Sequence, residues 1–487
     1  MPLPELIEIV PLNKPVKAEI TVPGSKSITN RALILAALSH RKTILKGALW
    51  SEDTQVMVDC LRKLGFEIEV APDPNEFCNR IITIQGTAGK IPNGGTIENP
   101  LELYVGNAGT AARFLSALVC LGCGVYRLFG VPRMHERPQA ALFNALRELN
   151  YRIDSPNDKL PAVIHGAFRL KGKCRVSIEE SSQFASALLL CANISGWEVE
   201  IIGENAEESP YIAMTSKLIA EFENVLEEFQ IEPDASSASY FVGADRIAPG
   251  SEWADAPKVD SLLGCLQLLG SVPEIKEGGW QGEPRESELR EKLVKQGDSA
   301  KVKAFDALRN WKGYSNIELR GMDSSSGYQI DARFHEFWPW REKISRLTDL
   351  GDSIMTGITL TSLGDKSIQF TDLGRLRVQE CERVHALRTE LTRCGGKVNE
   401  EGDTLTVYPA RLHGAEVETY GDHRMAMCFA ILGLKVPGIK IKDPACVKKT
   451  FPNFFQKLAS APPAGLGATI LDALTRRPLT MDELFAD

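Results

Sequence analysis

The chain has 487 residues, 43% hydrophobic and 25% charged, a composition that excludes disordered and fibrous proteins and fits two large domains or three smaller ones. Its 64 acidic residues outweigh 56 basic ones, for a formal net charge of -8. That balance argues against a general nucleic-acid or anionic-membrane binder, so any anion site must be local.

From the start of the chain, Met1 to Val10 carries Glu5 and Glu8 with no basic or apolar leader stretch, so no signal peptide is read. Val22-Pro23-Gly24-Ser25-Lys26-Ser27-Ile28-Thr29-Asn30-Arg31 leads from a strand into a helix over Ala32 to Leu38, placing Lys26, Ser27 and Arg31 around its first turn. The spacing of a Walker loop is absent. Gly106-Asn107-Ala108-Gly109-Thr110-Ala111-Ala112-Arg113 repeats the device, with glycines that permit close backbone approach at a helix start. The most apolar window, Phe114 to Val131, is broken by glycines and Arg127 and reads as a buried helix followed by a strand, not a membrane span. Cys120 and Cys123 are the only close pair among eleven cysteines and lack the further ligands of a zinc site, so no metal is expected. Scattered thiols suit a reducing cytoplasm.

Further along, Arg137 precedes a helix, and Glu180-Ser181-Ser182-Gln183-Phe184 offers two hydroxyls and an amide at another, either as caps or as ligands. The charged stretch Glu277 to Gly313 reads as a surface insertion. In Gly351-Asp352-Ser353, Asp352 is either a helix N-cap or a base pointing into a cleft. Val378-Gln379-Glu380-Cys381-Glu382-Arg383 and Gly421-Asp422-His423-Arg424 set acid and arginine together at turns, and Lys449 follows. The tail after Ala459 opens with a linker-like Ser460-Ala461-Pro462-Pro463 and predicts short helix over Ile470 to Leu474 and Met481 to Phe485, docking on the body or on a partner.

Across the chain, an amphipathic helix ending in Leu or Phe and followed by alternating apolar residues recurs at Leu61, Leu146, Leu226, Leu266 and Leu391. Glycine turns at Gly47, Gly130, Gly203 and Gly374 open the units, spaced at roughly 80 residues or a multiple of that. Lys26, Arg31, Arg113, Arg137, Arg383, Arg424 and Lys449 form a set of cations at helix starts in an acidic chain, which points to a small polyanionic substrate neutralised by Arg, Lys and helix dipoles. Lys26 with Asp352 or Glu380 supplies a proton donor and acceptor.

These strings, together with Asp234-Ala235-Ser236-Ser237-Ala238-Ser239-Tyr240, stand in an order that resembles the EPSP synthases of the enolpyruvyl transferase family from about Val22 to Lys457. The resemblance implies an α/β (α+β type) fold of two domains, each of three βαβαββ units around parallel helices, with the active site in the cleft between them. It implies a first domain of residues 1–23 plus 247–459, a second of 24–246, an insertion at 277–313 and an extension at 460–487. It further implies transfer of the enolpyruvyl group of phosphoenolpyruvate to the 5-hydroxyl of shikimate 3-phosphate, in the shikimate pathway to chorismate and aromatic amino acids, by a cytoplasmic monomer without cofactor. By the same carry-over, Lys26, Asn107, Gly109, Arg137, Gln183, Arg383, Arg424 and Lys449 hold phosphoenolpyruvate. Lys26, Ser27, Arg31, Ser181, Ser182, Gln183, Tyr211, Asp352 and Gln379 hold shikimate 3-phosphate. Asp352 accepts the hydroxyl proton, and Lys26 and Glu380 shuttle protons at the phosphoenolpyruvate carbon.

Three departures from the family pattern fall on the acceptor side. Gln379 replaces a lysine, Arg375 an asparagine, and Glu208, next to Ser209, a serine. They admit an enolpyruvyl transferase with another acceptor, and the insertion and tail admit a non-catalytic binding subunit. The sister transferase acting on UDP-N-acetylglucosamine carries a cysteine before the Arg137 position, and Leu128 to Glu136 contains none.

Overall fold

The computed structural model describes residues 3–168, 170–203, 210–224, 227–249, 317–320, 328–339 and 341–486. The helix-strand phrase at Leu266 and the insertion at 277–313 lie outside them. The phrases at Leu61, Leu146 and Leu391 become helix then strand, as in Glu52–Lys63 followed by Ile68–Pro72 and Arg383–Arg393 followed by Lys397–Glu401, while Leu226 lies outside the described residues. The first of these helices shows why its ends fall where they do. Ser51 and Thr54 form a capping box, Glu52 and Asp53 occupy the first turn, and Arg62 and Lys63 the last, all complementing the helix dipole.

Among the described residues one sheet pattern appears four times: a parallel pair, then two antiparallel neighbours. Strands Leu101–Tyr104, Val125–Phe129, Ala162–His165 and Arg152–Asp154 follow it, and so do Lys343–Ser345, Ile368–Thr371, Thr404–Tyr408 and Lys397–Glu401. With their helices these are βαβαββ units. In a third, the parallel neighbour of Lys42–Leu49 is Glu228–Gln230, supplied from much later in the chain. In a fourth, Lys440–Lys442 pairs with Glu416–Val417 and with Leu6–Ile9 from the N-terminus.

The tail completes that fourth sheet. Ile470–Asp472 is a strand antiparallel to Leu6–Ile9, not the expected helix, and residues 481–485 form turns. The reason is in the apolar side chains: Ile470, Leu484 and Ala486 are buried in the core and Phe77 meets Phe485 edge to face at 5.4 Å, so a local helix loses to an open sheet edge.

Two hydrophobic cores result. One gathers Ile28 through Ile231 together with Tyr328, the other Leu3 through Val22 and most buried apolar residues from Ala238 onward. Among the described residues two passages between them run side by side: Ser25 N–H donates to the Glu232 carbonyl at 2.7 Å and Asp234 N–H to the Pro23 carbonyl at 2.8 Å. Gly24 also lies tight against residue 47: a Cβ on Gly24 would stand 1.9 Å from the Gly47 carbonyl oxygen. Helix Ala235–Ile247, assigned by a boundary at 246 to the same domain as residues 24–231, packs Ala238, Phe241 and Ala244 into the second core.

In each core three helices touch one another: Lys26–Leu38, Gly109–Leu118 and Ser182–Ser195 in one, Ala235–Ile247, Ile354–Thr361 and His423–Gly433 in the other. Their sequences are apolar or small on nearly every face, which suits helices enclosed on all sides. Among the described residues no helix is long and apolar enough to cross a membrane.

Because Ile470 is 2% exposed, Ile470→Ala should lower stability by about 2–4 kcal/mol. Removing residues 460–487 should cost more, since it also strips a strand from Leu6–Ile9. Chemical denaturation followed by circular dichroism measures both, and a truncated chain as stable as the full one would contradict this role for the tail.

Candidate active site

All six enclosed helices begin at one cleft between the cores. Lys26, Gly109, Ser182, Ser236, Asp352 and His423, each at or beside a helix start, line the same cavity. Free N–H groups and aligned peptide dipoles make such a cavity positive before any side chain is counted. Into it the chain adds cations, and the carboxylates around them determine where each one sits.

Arg383 is 1% exposed and central. Its Nε lies 2.7 Å from Asp422, its Nη2 2.8 Å from Glu380, and its Nη1 3.8 Å from Asp352 while also donating to the Gln379 amide oxygen. Asp422 at the same time caps helix His423–Gly433 through the Arg424 N–H at 2.8 Å. Lys449 reaches Glu380 at 3.1 Å and the Asn107 carbonyl across the cleft at 3.5 Å. Burial opposes charge on both partners. The opposite charge nonetheless prevails: Lys449 and Arg383 hold Glu380 well below the usual carboxylate range, and Glu380 raises Lys449.

Asp352 faces the cleft and does not cap the helix, since Ser353 occupies the N-cap position. Arg346 lies 2.6 Å from it and Arg424 3.3 Å. Burial favours the protonated acid, yet Arg424, Arg346 and Arg383 outweigh it and keep Asp352 ionised far below its ordinary value. Behind it, burial and the Asp352 charge push the Asp331 carboxyl up, and Asp331 accepts the Ser353 N–H at 2.6 Å.

On the opposite wall Lys26 pairs with Asp53 at 2.9 Å. Arg31, behind Ser27, donates to Thr215 at 2.8 Å and Ser186 at 3.0 Å, and burial lowers it to about 10. Arg137 donates to the Asn107 carbonyl at 3.2 Å, and Arg113 to the Pro138 carbonyl at 3.0 Å. A Cβ at Gly109 would stand 2.3 Å from the Arg113 guanidinium and 2.6 Å from that of Arg137, so a larger residue there would displace both groups. Ser181 caps its helix through the Gln183 N–H at 3.2 Å, while the Gln183 amide donates to Thr110. Tyr211 lines the cleft, and burial with the nearby Asp352 raises its phenol.

Among the described residues, the structure therefore brings together those singled out in the sequence for the site. Glu208 and Ser209 lie outside the described residues. Asp53, Asp331, Arg346 and the pairing role of Asp422 were not singled out. Only Asp422 left a trace, as an acid next to Arg424 at a turn.

The family model for EPSP synthase (3-phosphoshikimate 1-carboxyvinyltransferase) matches residues 10–253 and 330–458. A 3-phosphoshikimate 1-carboxyvinyltransferase of Trichormus variabilis is 33% identical over 475 residues, covering 93% of this chain and 98% of the relative. One of Opitutus terrae is 35% identical over 470 residues, with 94% and 98% covered. The fold is shared with an EPSP synthase from Acinetobacter baumannii, with a TM-score of 0.58, 20% identity, and 96% and 99% of the two chains covered. It is also shared with the enolpyruvyl transferase NikO from Streptomyces tendae, with a TM-score of 0.57, 13% identity, and 99% and 100% covered.

The depressed carboxylates carry a stability signature. A carboxyl whose folded pKa lies below its unfolded value, about 3.9 for Asp and 4.3 for Glu, stabilises the fold above that value and loses the contribution as pH falls. Stability of the protein should thus drop steeply below about pH 4. Asp352→Asn with Glu380→Gln should be less stable at pH 7 but show a flatter decline, as read by urea titrations from pH 6 to 3; an unchanged slope would exclude these two groups as its source.

Proposed function

The chain belongs to the EPSP synthase family, and on that premise we propose a division of labour within its cleft. The protein transfers the enolpyruvyl group of phosphoenolpyruvate to the 5-hydroxyl of shikimate 3-phosphate, giving 5-enolpyruvylshikimate 3-phosphate and inorganic phosphate. Asp352 accepts the proton of the 5-hydroxyl as its oxygen bonds to C2 of phosphoenolpyruvate. Lys26 and Glu380 deliver a proton to C3, forming the methyl group of a tetrahedral intermediate. Loss of a C3 proton then expels phosphate from C2 and regenerates the double bond.

The observation that carries this reading is Asp352 held ionised between Arg346, Arg383 and Arg424 in the cleft. A carboxylate so stabilised is a weak base. Arg383 and Arg424 are also the cations assigned to phosphoenolpyruvate, so its carboxylate draws on the charge that depresses Asp352 and raises the basicity of Asp352 when the donor binds. Lys449, Arg137 and Gln183 take the donor phosphate, with Asn107 and Gly109 shaping the loop beneath it. Charge that grows in the intermediate meets guanidinium groups already in place, the logic of an oxyanion hole.

For the acceptor we assign Lys26, Ser27, Arg31, Ser181, Ser182, Gln183, Tyr211 and Gln379. Two domains meet at this cleft, with crossings near Gly24 and Pro233 and the return therefore before helix Ala235–Ile247. The adjacent crossings and the three-helix set in each core support those boundaries. Operation as a cytoplasmic monomer completes the reading; the docking of the tail on the body of its own chain supports it over a tail reserved for a partner.

Phosphate release should require phosphoenolpyruvate and shikimate 3-phosphate together, with neither sufficient alone. Asp352→Ala should reduce turnover by about 10²–10⁴-fold, the range for a general base. Release from phosphoenolpyruvate alone, or undiminished turnover by the variant, would overturn the assignment.

A further inference from the structure

The two cores also meet outside the cleft, at a buried carboxylate. Glu76 stands in the turn between strands Ile68–Pro72 and Asn79–Gln85, beside the first core, and is 4% exposed. Its own turn supplies one donor, the Cys78 N–H at 3.3 Å. The others come from the side of the second core: Lys457 Nζ and Asn453 Nδ2 each lie 2.7 Å from it, and the Thr21 hydroxyl donates as well. Lys457 joins Thr21 in turn at 2.7 Å. Leaving a buried carboxylate without such donors is costly, so the set resists separation of the two sides.

The tail extends this contact. Phe77, next to Glu76 and 66% exposed, meets the Phe485 ring edge to face at 5.4 Å. Phe485 is firmly set, because Leu484 and Ala486 on either side are buried in the second core and the Ala486 N–H donates to the Pro452 carbonyl at 3.0 Å. Glu483, one residue further back, pairs with Arg477 at 2.7 Å. The match to the EPSP synthase family model ends at residue 458, so Phe485 lies in what this chain adds beyond it. None of Glu76, Phe77, Asn453, Lys457 and Phe485 lines the cleft cavity.

We infer that the tail, through Phe485 and alongside the Glu76–Lys457 pair, is a tie outside the cleft that holds the two cores in the arrangement where the cleft walls meet. With the tie made, Arg133 Nη2 lies 3.3 Å from the Gln379 carbonyl on the opposite wall, and Lys449 reaches the Asn107 carbonyl at 3.5 Å. The passages at Gly24 and Pro233 are two adjacent strands, which supply an axis for rotation of one core against the other. A contact beside that axis, reaching from Thr21 out to Phe485, restrains the rotation. A ligand that touches both walls binds only where they meet, so its apparent affinity falls with the fraction of molecules so arranged. The inference rests on the enolpyruvyl-transfer reading only for the choice of ligands.

Steady-state kinetics with phosphoenolpyruvate and shikimate 3-phosphate, with small-angle X-ray scattering of the ligand-free protein, test this on the full chain and on Phe77→Ala, Phe485→Ala and the double variant. Each single variant should raise KM for both substrates by the same factor, about two- to tenfold, the range for one aromatic pair. At saturation kcat should stay within about twofold, since bound substrate restores the arrangement. The double variant should lose no more than either single one, because the two rings make one contact. Without ligand, the variants should show a larger radius of gyration than the unmodified chain. Unchanged KM values in folded variants, a rise for one substrate alone, or an unchanged radius of gyration would overturn the inference while leaving enolpyruvyl transfer intact. An unmodified chain without turnover whose variants still expand would instead overturn the functional reading and leave the tie standing.

Discussion

Six enclosed helices start at one cavity, and that geometry forces the rest of the site. Each contributes free N–H groups and the positive end of its dipole, so the cleft favours anions even before Arg383, Arg424, Arg346 and Lys449 are placed in it. Held apart from solvent, such cations would be costly to bury. Asp422, Asp352 and Glu380 offset that cost by sharing the charge: Arg383 touches all three, Arg424 and Arg346 share Asp352, and Lys449 takes Glu380.

This sharing has a chemical consequence. The groups suited to accept protons are the same groups that neutralise the cations, so their basicity depends on what else those cations bind. An anionic donor that engages Arg383 and Arg424 relieves Asp352 of part of their field. In the proposed reaction, substrate binding and base strength are thereby coupled through ordinary Coulomb attraction.

The same architecture explains how the chain tolerates long excursions. Residues 24–231 leave and return through two adjacent strands tied by Ser25–Glu232 and Pro23–Asp234 hydrogen bonds, so the excursion leaves the second core topologically undisturbed. That core closes its sheet with Leu6–Ile9 and Ile470–Asp472, drawn from the two ends of the chain. A tail that reads as a linker is held by an edge that needs a strand.

Much of this was legible in one dimension. Glycine turns and helix-strand phrases are local events, set by backbone sterics and by periodicity over a dozen residues, and they predicted elements such as Glu52–Lys63, Arg383–Arg393 and the helix starts at Gly109 and Ser182, whereas the helix expected over Ala32 to Leu38 already begins at Lys26. The cation set and its motifs were legible for the same reason and identified the family. The strand at Ile470 was not, because a short apolar run has no preference until a sheet edge meets it. Nor was Arg346. Nothing in Ser345-Arg346-Leu347 marks a site residue, since what makes it important is contact with Asp352. The sequence by itself determined the elements and the chemistry they carry, whereas only the packing of the two cores decided which charges meet, because Coulomb pairing acts through space and is indifferent to order along the chain.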